Sequence, residues 1–155
     1  MTIEATLDYF FFDKRFLNRA LTRKGYALEQ QNYQVCEDQD ALVLLGGAVL
    51  DAVLTEVLIR AGYETQQEIV LRKLELKQVE NLARISQKIG LGYGLRMSTA
   101  EKLQQAYCQP EILAETLEAI VGSIYLDGGF SAARQVIQRL FQDQVAEELV
   151  IREIV

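Results

Sequence analysis

Apolar residues recur at helical spacing along nearly the whole chain. Phe16, Leu17, Ala20 and Leu21 form a stripe behind Asp13, which is placed to cap a helix start. Thr65-Gln66-Gln67-Glu68 has the capping-box pattern and opens an apolar run through Ile69, Leu71, Leu74 and Leu76. Leu82, Ile85 and Ile89 continue the pattern, and Gly90 is a natural stop. Pro110 suits the first turn of a helix carrying Leu113, Leu117 and Ile120. Asp127-Gly128-Gly129 reads as a turn. Beyond it, Ser131 is placed to cap a last helix with Ala133, Val136, Ile137 and Leu140 inward. No run of useful length alternates apolar and polar residues. The pattern predicts an all-α fold of seven to nine helices.

Leu42 to Leu58 is apolar almost all round, which predicts a helix buried on most sides. Gly46-Gly47 lies in its middle, although each Gly costs about 1 kcal/mol relative to Ala in a helix interior. Two explanations stand. Another helix approaches closely, or a Gly replaces something larger at a site. The single Pro and the lack of a Ser- or Gly-rich linker leave no place for a second domain to begin. One domain is expected over residues 1–155, with no internal repeat.

Composition narrows the chemistry. Half of the 155 residues are apolar and a quarter are charged, which excludes disordered and low-complexity classes. There is no His, so Ser-His-Asp and Cys-His nucleophile systems and His-ligated zinc are excluded in this chain. Cys36 and Cys108 form no C-x-x-C pair and read as ordinary thiols of a reducing compartment. The start, Met1-Thr2-Ile3-Glu4, lacks the basic and apolar regions of a secretory signal. The most apolar stretch, Ala41 to Leu50, is shorter than the roughly 20 residues that span a bilayer. A cytoplasmic domain without a membrane partner is the expectation.

The net charge of -6 is poor for a sequence-blind nucleic-acid binder, which needs a basic face. It is not spread evenly. From Gly25 to Ile59 there is no Lys or Arg, and that window holds Glu29, Glu37, Asp38, Asp40, Asp51 and Glu56. The rest of the chain balances, so the whole excess sits around the most apolar helix.

Several segments together resemble one family. Leu45-Gly46-Gly47-Ala48-Val49-Leu50-Asp51 resembles part of the ribonuclease III signature N-E-R-L-E-F-L-G-D-A-V-L-D. The run from Leu113-Ala114-Glu115 through Glu118-Ala119-Ile120 to Asp127-Gly128-Gly129 resembles that family's L-A-D-x-F-E-A-L-I-G-A-I-Y-L-D-G-G. Glu80-Asn81-Leu82-Ala83-Arg84-Ile85 with Gly90-Leu91-Gly92 is similar to its E-T-L-A-R-I … G-L-G. Ala20-Leu21-Thr22-Arg23-Lys24-Gly25-Tyr26 looks like its A-L-T-H-R-S-Y. The resemblance runs from about residue 15 to 140. It implies an all-helical homodimer with a valley for an RNA duplex along the subunit interface. It also implies Mg²⁺-dependent phosphodiester hydrolysis from clustered carboxylates. The layout resembles the mini-ribonuclease III group, with the nuclease-type domain and no double-stranded-RNA-binding domain expected.

The resemblance is weakest at the site itself. Its first Glu falls on Asp40, its second Glu on Val43 and its metal-binding Asp on Gly47. On the other motif the Asp falls on Glu115 and the final Glu on Glu118. Residues 40, 43 and 47 share one helix face. The degenerate catalytic set is thus Glu118, Glu115 and Asp40, with Glu118 and Glu115 as weak metal ligands and Asp51 as a further candidate. Asp51 is also read as a structural partner, and Glu115 and Glu118 as a solvated face. The expected outcome is weak or absent Mg²⁺ binding and impaired cleavage, leaving an RNA-binding, scaffolding or regulatory role. The alternative is an active, reduced endoribonuclease using Glu115, Glu118, Asp40 and Asp51.

Bases cluster in stripes that suit phosphates: Lys14, Arg15, Arg19, Arg23 and Lys24, then Lys73 and Lys77, then Arg84 and Lys88. Arg15, Arg19, Arg23, Lys73 and Lys77 are the RNA-binding candidates; a solvated helix face is the plainer reading of each stripe. Expected partners are a second copy, an active ribonuclease III in a heterodimer, and structured RNA or a ribosome. Tyr93 and Tyr107 read as packing or surface residues.

Overall fold

The structure is a computed structural model, and it describes residues 1–30 and 37–145. Eight α-helices follow one another among the described residues: α1 Ile3–Leu7, α2 Lys14–Ala20, α3 Lys24–Gln30, α4 Asp40–Arg60, α5 Gln66–Leu76, α6 Val79–Lys88, α7 Thr99–Leu103 and α8 Pro110–Leu140. Two 3₁₀ turns, Leu91–Gly94 and Ala106–Cys108, lie between α6 and α8. Among the described residues there is no strand, only an isolated bridge between Thr22 and Arg96.

Local chemistry sets the helix ends. The Asp13 side chain accepts from the Arg15 amide at the start of α2, and the Thr65 hydroxyl accepts from Glu68 at the start of α5. Pro110 opens α8. Gly90, at φ 74°, ends α6 in the left-handed region that favours glycine. A full capping box at Ser98 and Glu101 opens α7, a start that the apolar periodicity did not reveal.

The core is built where α4 and α8 cross, with α2 and α6 packed on α8. Leu50, Leu54, Leu58, Leu117, Ile120 and Ile124 are fully buried there. Each such side chain contributes on the order of 1.5–3 kcal/mol. The crossing is tight because of two glycines. A Cβ on Gly46 would lie 1.6 Å from the Glu118 carbonyl oxygen, and one on Gly122 would lie 2.5 Å from that of Leu42. Close approach therefore accounts for Gly46. It does not account for Gly47, whose Cβ would meet only the carboxylate end of Glu118, at 2.7 Å.

One expectation is corrected and two are refined. First, α4 is not buried on most sides: Leu44 is 80 % exposed, and Ala41, Ala48 and Ala52 on the same face are exposed too. Its apolar stretch also extends beyond Ala41–Leu50. The helix of 21 residues is long and apolar enough to cross a membrane by composition, while its Leu50, Val53, Leu54 and Leu58 are buried within the protein. Second, the apolar run on α5 is divided between core and surface. Leu76 is buried, but Val70, Leu71 and Leu74 are exposed. Third, Asp127-Gly128-Gly129 does mark a break: residues 110–140 are two helical stretches joined across a kink, with Gly129 outside helical geometry at φ 85° and ψ 179°. Asp127 accepts from the Tyr9 hydroxyl and from the Phe12 and Asp13 amides, fastening the N-terminal segment to the kink. Cys108 is free and exposed, and Cys36 lies outside the described residues.

The two adjacent glycines of α4 should respond oppositely to one methyl group. Gly46→Ala has to push α8 away through backbone and should lower unfolding free energy by about 2 kcal/mol or more. Gly47→Ala needs only a shift of a flexible side chain and gains helix propensity, so it should be neutral or stabilising by up to about 1 kcal/mol. Urea denaturation midpoints of the two variants check this.

Candidate functional site

The site is the seam where the face of α4 bearing Val43, Gly47 and Asp51 meets the start of α8. Glu115 and Glu118 sit three residues apart on α8, on one side of that helix. Glu118 is half-buried over Gly47, and it has no hydrogen bond or ion pair among the described residues. Burial pushes its carboxyl above the ordinary range. The charge of Lys77 opposes that shift and the charge of Glu115 adds to it.

Glu115 is held by Arg23. The Arg23 Nη1 donates to Glu115 Oε2 at 2.7 Å and to Gln39 Oε1 at 2.9 Å, while its Nε donates to Glu101 Oε2 at 2.9 Å. Backbone bonds place the Arg: Arg23 N donates to the Arg96 carbonyl at 2.9 Å, and Arg96 N donates to that of Leu21 at 2.8 Å. Gln39, just before α4, is 2 % exposed. Its amide Nε2 donates to the Ala20 carbonyl at 2.7 Å and lies 3.4 Å from the Thr116 hydroxyl. This one side chain joins the end of α2, the start of α4 and α8 to the guanidinium.

Asp51, one turn beyond Gly47, is held by two ammonium groups, Lys73 at 3.0 Å and Lys77 at 3.4 Å. Burial disfavours its charge, but the Lys73 hydrogen bond and the Lys77 charge outweigh burial and keep the carboxyl below its ordinary range. Asp40 stands apart on the exposed start of α4, 3.7 Å from Lys24. Of the RNA-binding candidates, Arg15 pairs with Asp13 at 2.8 Å, and Arg19 donates to the Asp38 carbonyl at 3.0 Å. Arg23, Lys73 and Lys77 are turned into the seam, each largely buried. In the structure these three bases are engaged by Glu101, Glu115 and Asp51.

The profile of the family described as Ribonuclease-III-like matches residues 13–144. The chain belongs to this ribonuclease-III-like family. Ribonuclease 3 of Caldanaerobacter subterraneus subsp. tengcongensis is 34 % identical over 148 residues, covering 95 % of this chain and 64 % of that protein. Ribonuclease 3 of Bordetella pertussis is 34 % identical over 146 residues, covering 94 % of this chain and 54 % of its own length. The chain thus spans little more than half to two-thirds of these relatives. The nuclease domain of ribonuclease III from Campylobacter jejuni superposes with a TM-score of 0.82 at 32 % identity, over 91 % of this chain and 94 % of that one. That structure is described for flexibility in a region involved in dimer formation.

The ribonuclease III resemblance implies Mg²⁺, a hard ion that takes oxygen ligands in near-octahedral geometry. The residues of this seam do not fit it. Among the described residues no three Asp, Glu or Cys side chains lie close enough to share an ion. Glu118 is paired across the seam with Gly47, which brings no ligand, and Val43 adds an apolar branch. Glu115 and Asp51 already carry bonded cations.

Sequence reasoning found Glu115, Glu118, Gly47 and Asp51, and the structure brings these to one seam. It missed Gln39 and the pairing roles of Arg23, Lys73 and Lys77. The available signal for Gln39 was its place immediately before the most apolar helix. For Arg23, 92 positions from Glu115, there was no local signal.

Asp51 makes a stability prediction with a defined sign. Its folded pKa lies below the unfolded value near 3.8, so its contribution is full above about pH 4 and is lost as pH falls through the lowered folded value. Asp51→Asn should cost about 1 kcal/mol at pH 7, a modest value because the carboxylate is half exposed and solvent-screened. The difference from the parent should shrink toward zero as acid protonates Asp51. Denaturation curves at pH 7, 4 and 3 check it.

Proposed function

We propose that this ribonuclease-III-like domain binds structured, double-stranded RNA as a homodimer and has little or no cleavage activity. One observation carries the reading. Glu115 and Asp51 are held by the chain's own cations while Glu118 has none, and α4 presents Val43 and Gly47 where the signature has metal-binding acids. Glu118, half-buried and unpaired, has its carboxyl raised by burial, which opposes the charged form a divalent ion needs. Arg23, Lys73 and Lys77 supply in covalent form the positive charge that such a cluster otherwise draws from metal.

The dimer reading rests on surface chemistry. Leu44 with Ala41, Ala48 and Ala52 on α4, and Val70, Leu71 and Leu74 on α5, are exposed apolar residues. Apolar faces of this kind mark protein contacts. The Campylobacter jejuni nuclease domain, similar over nearly the whole chain, is described with a region involved in dimer formation. The exposed Arg15 and Lys24 are cations open to phosphate.

A cleavage assay on double-stranded RNA with Mg²⁺ or Mn²⁺ tests the reading. The parent domain should show no turnover above background. Gly47→Asp with Val43→Glu should gain metal-dependent cleavage, and Gly47→Asp alone, which displaces only the end of Glu118, should gain part of it. Parent turnover comparable with a Ribonuclease 3 relative would overturn the reading and return Glu115, Glu118, Asp40 and Asp51 to catalytic roles. Titration with an active ribonuclease III would show whether a heterodimer competes with the homodimer. Sedimentation checks the dimer itself: Leu44→Glu should weaken self-association by roughly 100-fold, as for a central apolar anchor.

A further inference from the structure

Away from the seam, Tyr93 and Tyr107 face one cavity of about 200 Å³, lined also by Gln87, Gly90, Gly92 and Cys108. Tyr93 is 91 % exposed, so its ring adds almost nothing to the core. The two ring centroids lie 6.5 Å apart with planes inclined at 32°. A planar ring inserted between two others needs about 7 Å, twice the optimal carbon–carbon contact. The pair is therefore a small rotation of Tyr93 away from holding a third ring.

The backbone beneath this cleft is fixed. Leu91 and Ala106, at the starts of the two 3₁₀ turns, are buried at 0 % and 1 % exposure. The turns touch main chain to main chain, since a Cβ on Gly92 would lie 2.2 Å from the Tyr107 carbonyl oxygen. Gln105 takes a left-handed conformation at φ 55° to launch the turn that carries Tyr107, a geometry rare outside glycine. The Gln87 side-chain amide lines the cavity with no hydrogen bond to protein among the described residues. It offers one donor and one acceptor together, the pair that matches an adenine edge.

We propose that the Tyr93–Tyr107 cleft takes an unstacked purine base, adenine in preference, by stacking on the two rings with its edge on Gln87. The choice of a nucleobase over another planar ring rests on the RNA-binding reading above. A base inside a duplex is not available to it, so the ligand is a free nucleotide or an unpaired position of a strand.

The test uses the whole chain, with amide and tyrosine NMR signals followed during titration with adenosine monophosphate, uridine monophosphate and a short oligoadenylate. Saturable shifts confined to residues around Gln87, Gly90, Gly92, Tyr93, Tyr107 and Cys108, with adenine preferred, are expected. Tyr93→Ala should weaken binding about tenfold or more and Tyr93→Phe should retain it, matching the energy of one base–aromatic stack. Gln87→Leu should erase the preference for adenine. Oligoadenylate binding more tightly than the mononucleotide identifies a strand as the source, and equal affinity identifies a nucleotide. No saturable shift, shifts unaffected by Tyr93→Ala, or equal binding of a tryptophan amide would overturn the proposal. These readouts do not depend on duplex binding, so failure here and failure of the double-stranded RNA reading are told apart.

Discussion

The approach of α4 to α8 at Gly46 and Gly122 fixes where every group of the seam can stand. With Cβ-to-backbone distances of 1.6 and 2.5 Å for hypothetical side chains, neither glycine has room for a methyl group. The helices consequently pack at backbone contact, and Glu118, one turn before Gly122, is delivered directly over Gly47. Two adjacent residues then carry separate duties. Gly46 serves the packing of the crossing. Gly47 leaves a gap beside a carboxylate, and nothing in the packing requires it.

That gap changes the electrostatics of its neighbourhood. Carboxylates gathered on two facing helices repel one another unless a cation joins them. Here the cations are built in. Arg23 bridges Glu115 and Glu101 while bonded to the buried Gln39, and Lys73 and Lys77 converge on Asp51. Side-chain cations cannot dissociate from the chain, so the fold of this seam is expected to stand without added divalent ions. Glu118, the acid left without such a partner, responds through a raised pKa. Of the acids between residues 25 and 59, Asp51 is met in space by Lys73 and Lys77, Glu56 by Arg60 and Arg134, and Asp40 by Lys24.

Much of this arrangement was legible in the chain because helices leave periodic traces. The caps at Asp13 and Thr65, the stop at Gly90, the start at Pro110 and the inward Ala133, Val136 and Ile137 follow from local spacing. Glu115, Glu118 and Gly47 were found through motif position. What escaped depends on separation or on partners. A stripe such as Leu71 and Leu74 has the same period whether it faces a core or the surface, so spacing alone left its direction open. The ends of the buried apolar face of α4 were likewise invisible, because Ala and Leu occupy both faces. Arg23 and Glu115 meet only after the chain folds, and basic residues at fourfold spacing look alike whether they point to water or to a carboxylate. The break at Gly129 was legible because a glycine pair signals a turn, and here it takes a single residue at positive φ.

Helix geometry ties the proposed dimer to the seam. Successive residues of α4 are turned by about 100°, so 44 and 48 lie one residue round from 43 and 47. The exposed apolar face and the site face are neighbours on the same cylinder. A molecule covering Leu44 and Ala48 therefore comes to rest beside Gly47 and Glu118, and the mouth of the seam becomes part of the interface. Replacing acids at 43 and 47 alters the seam without touching the contact residues at 44 and 48. The absence of acids at 43 and 47 and the presence of an apolar contact face at 44 and 48 are consequently compatible on one helix.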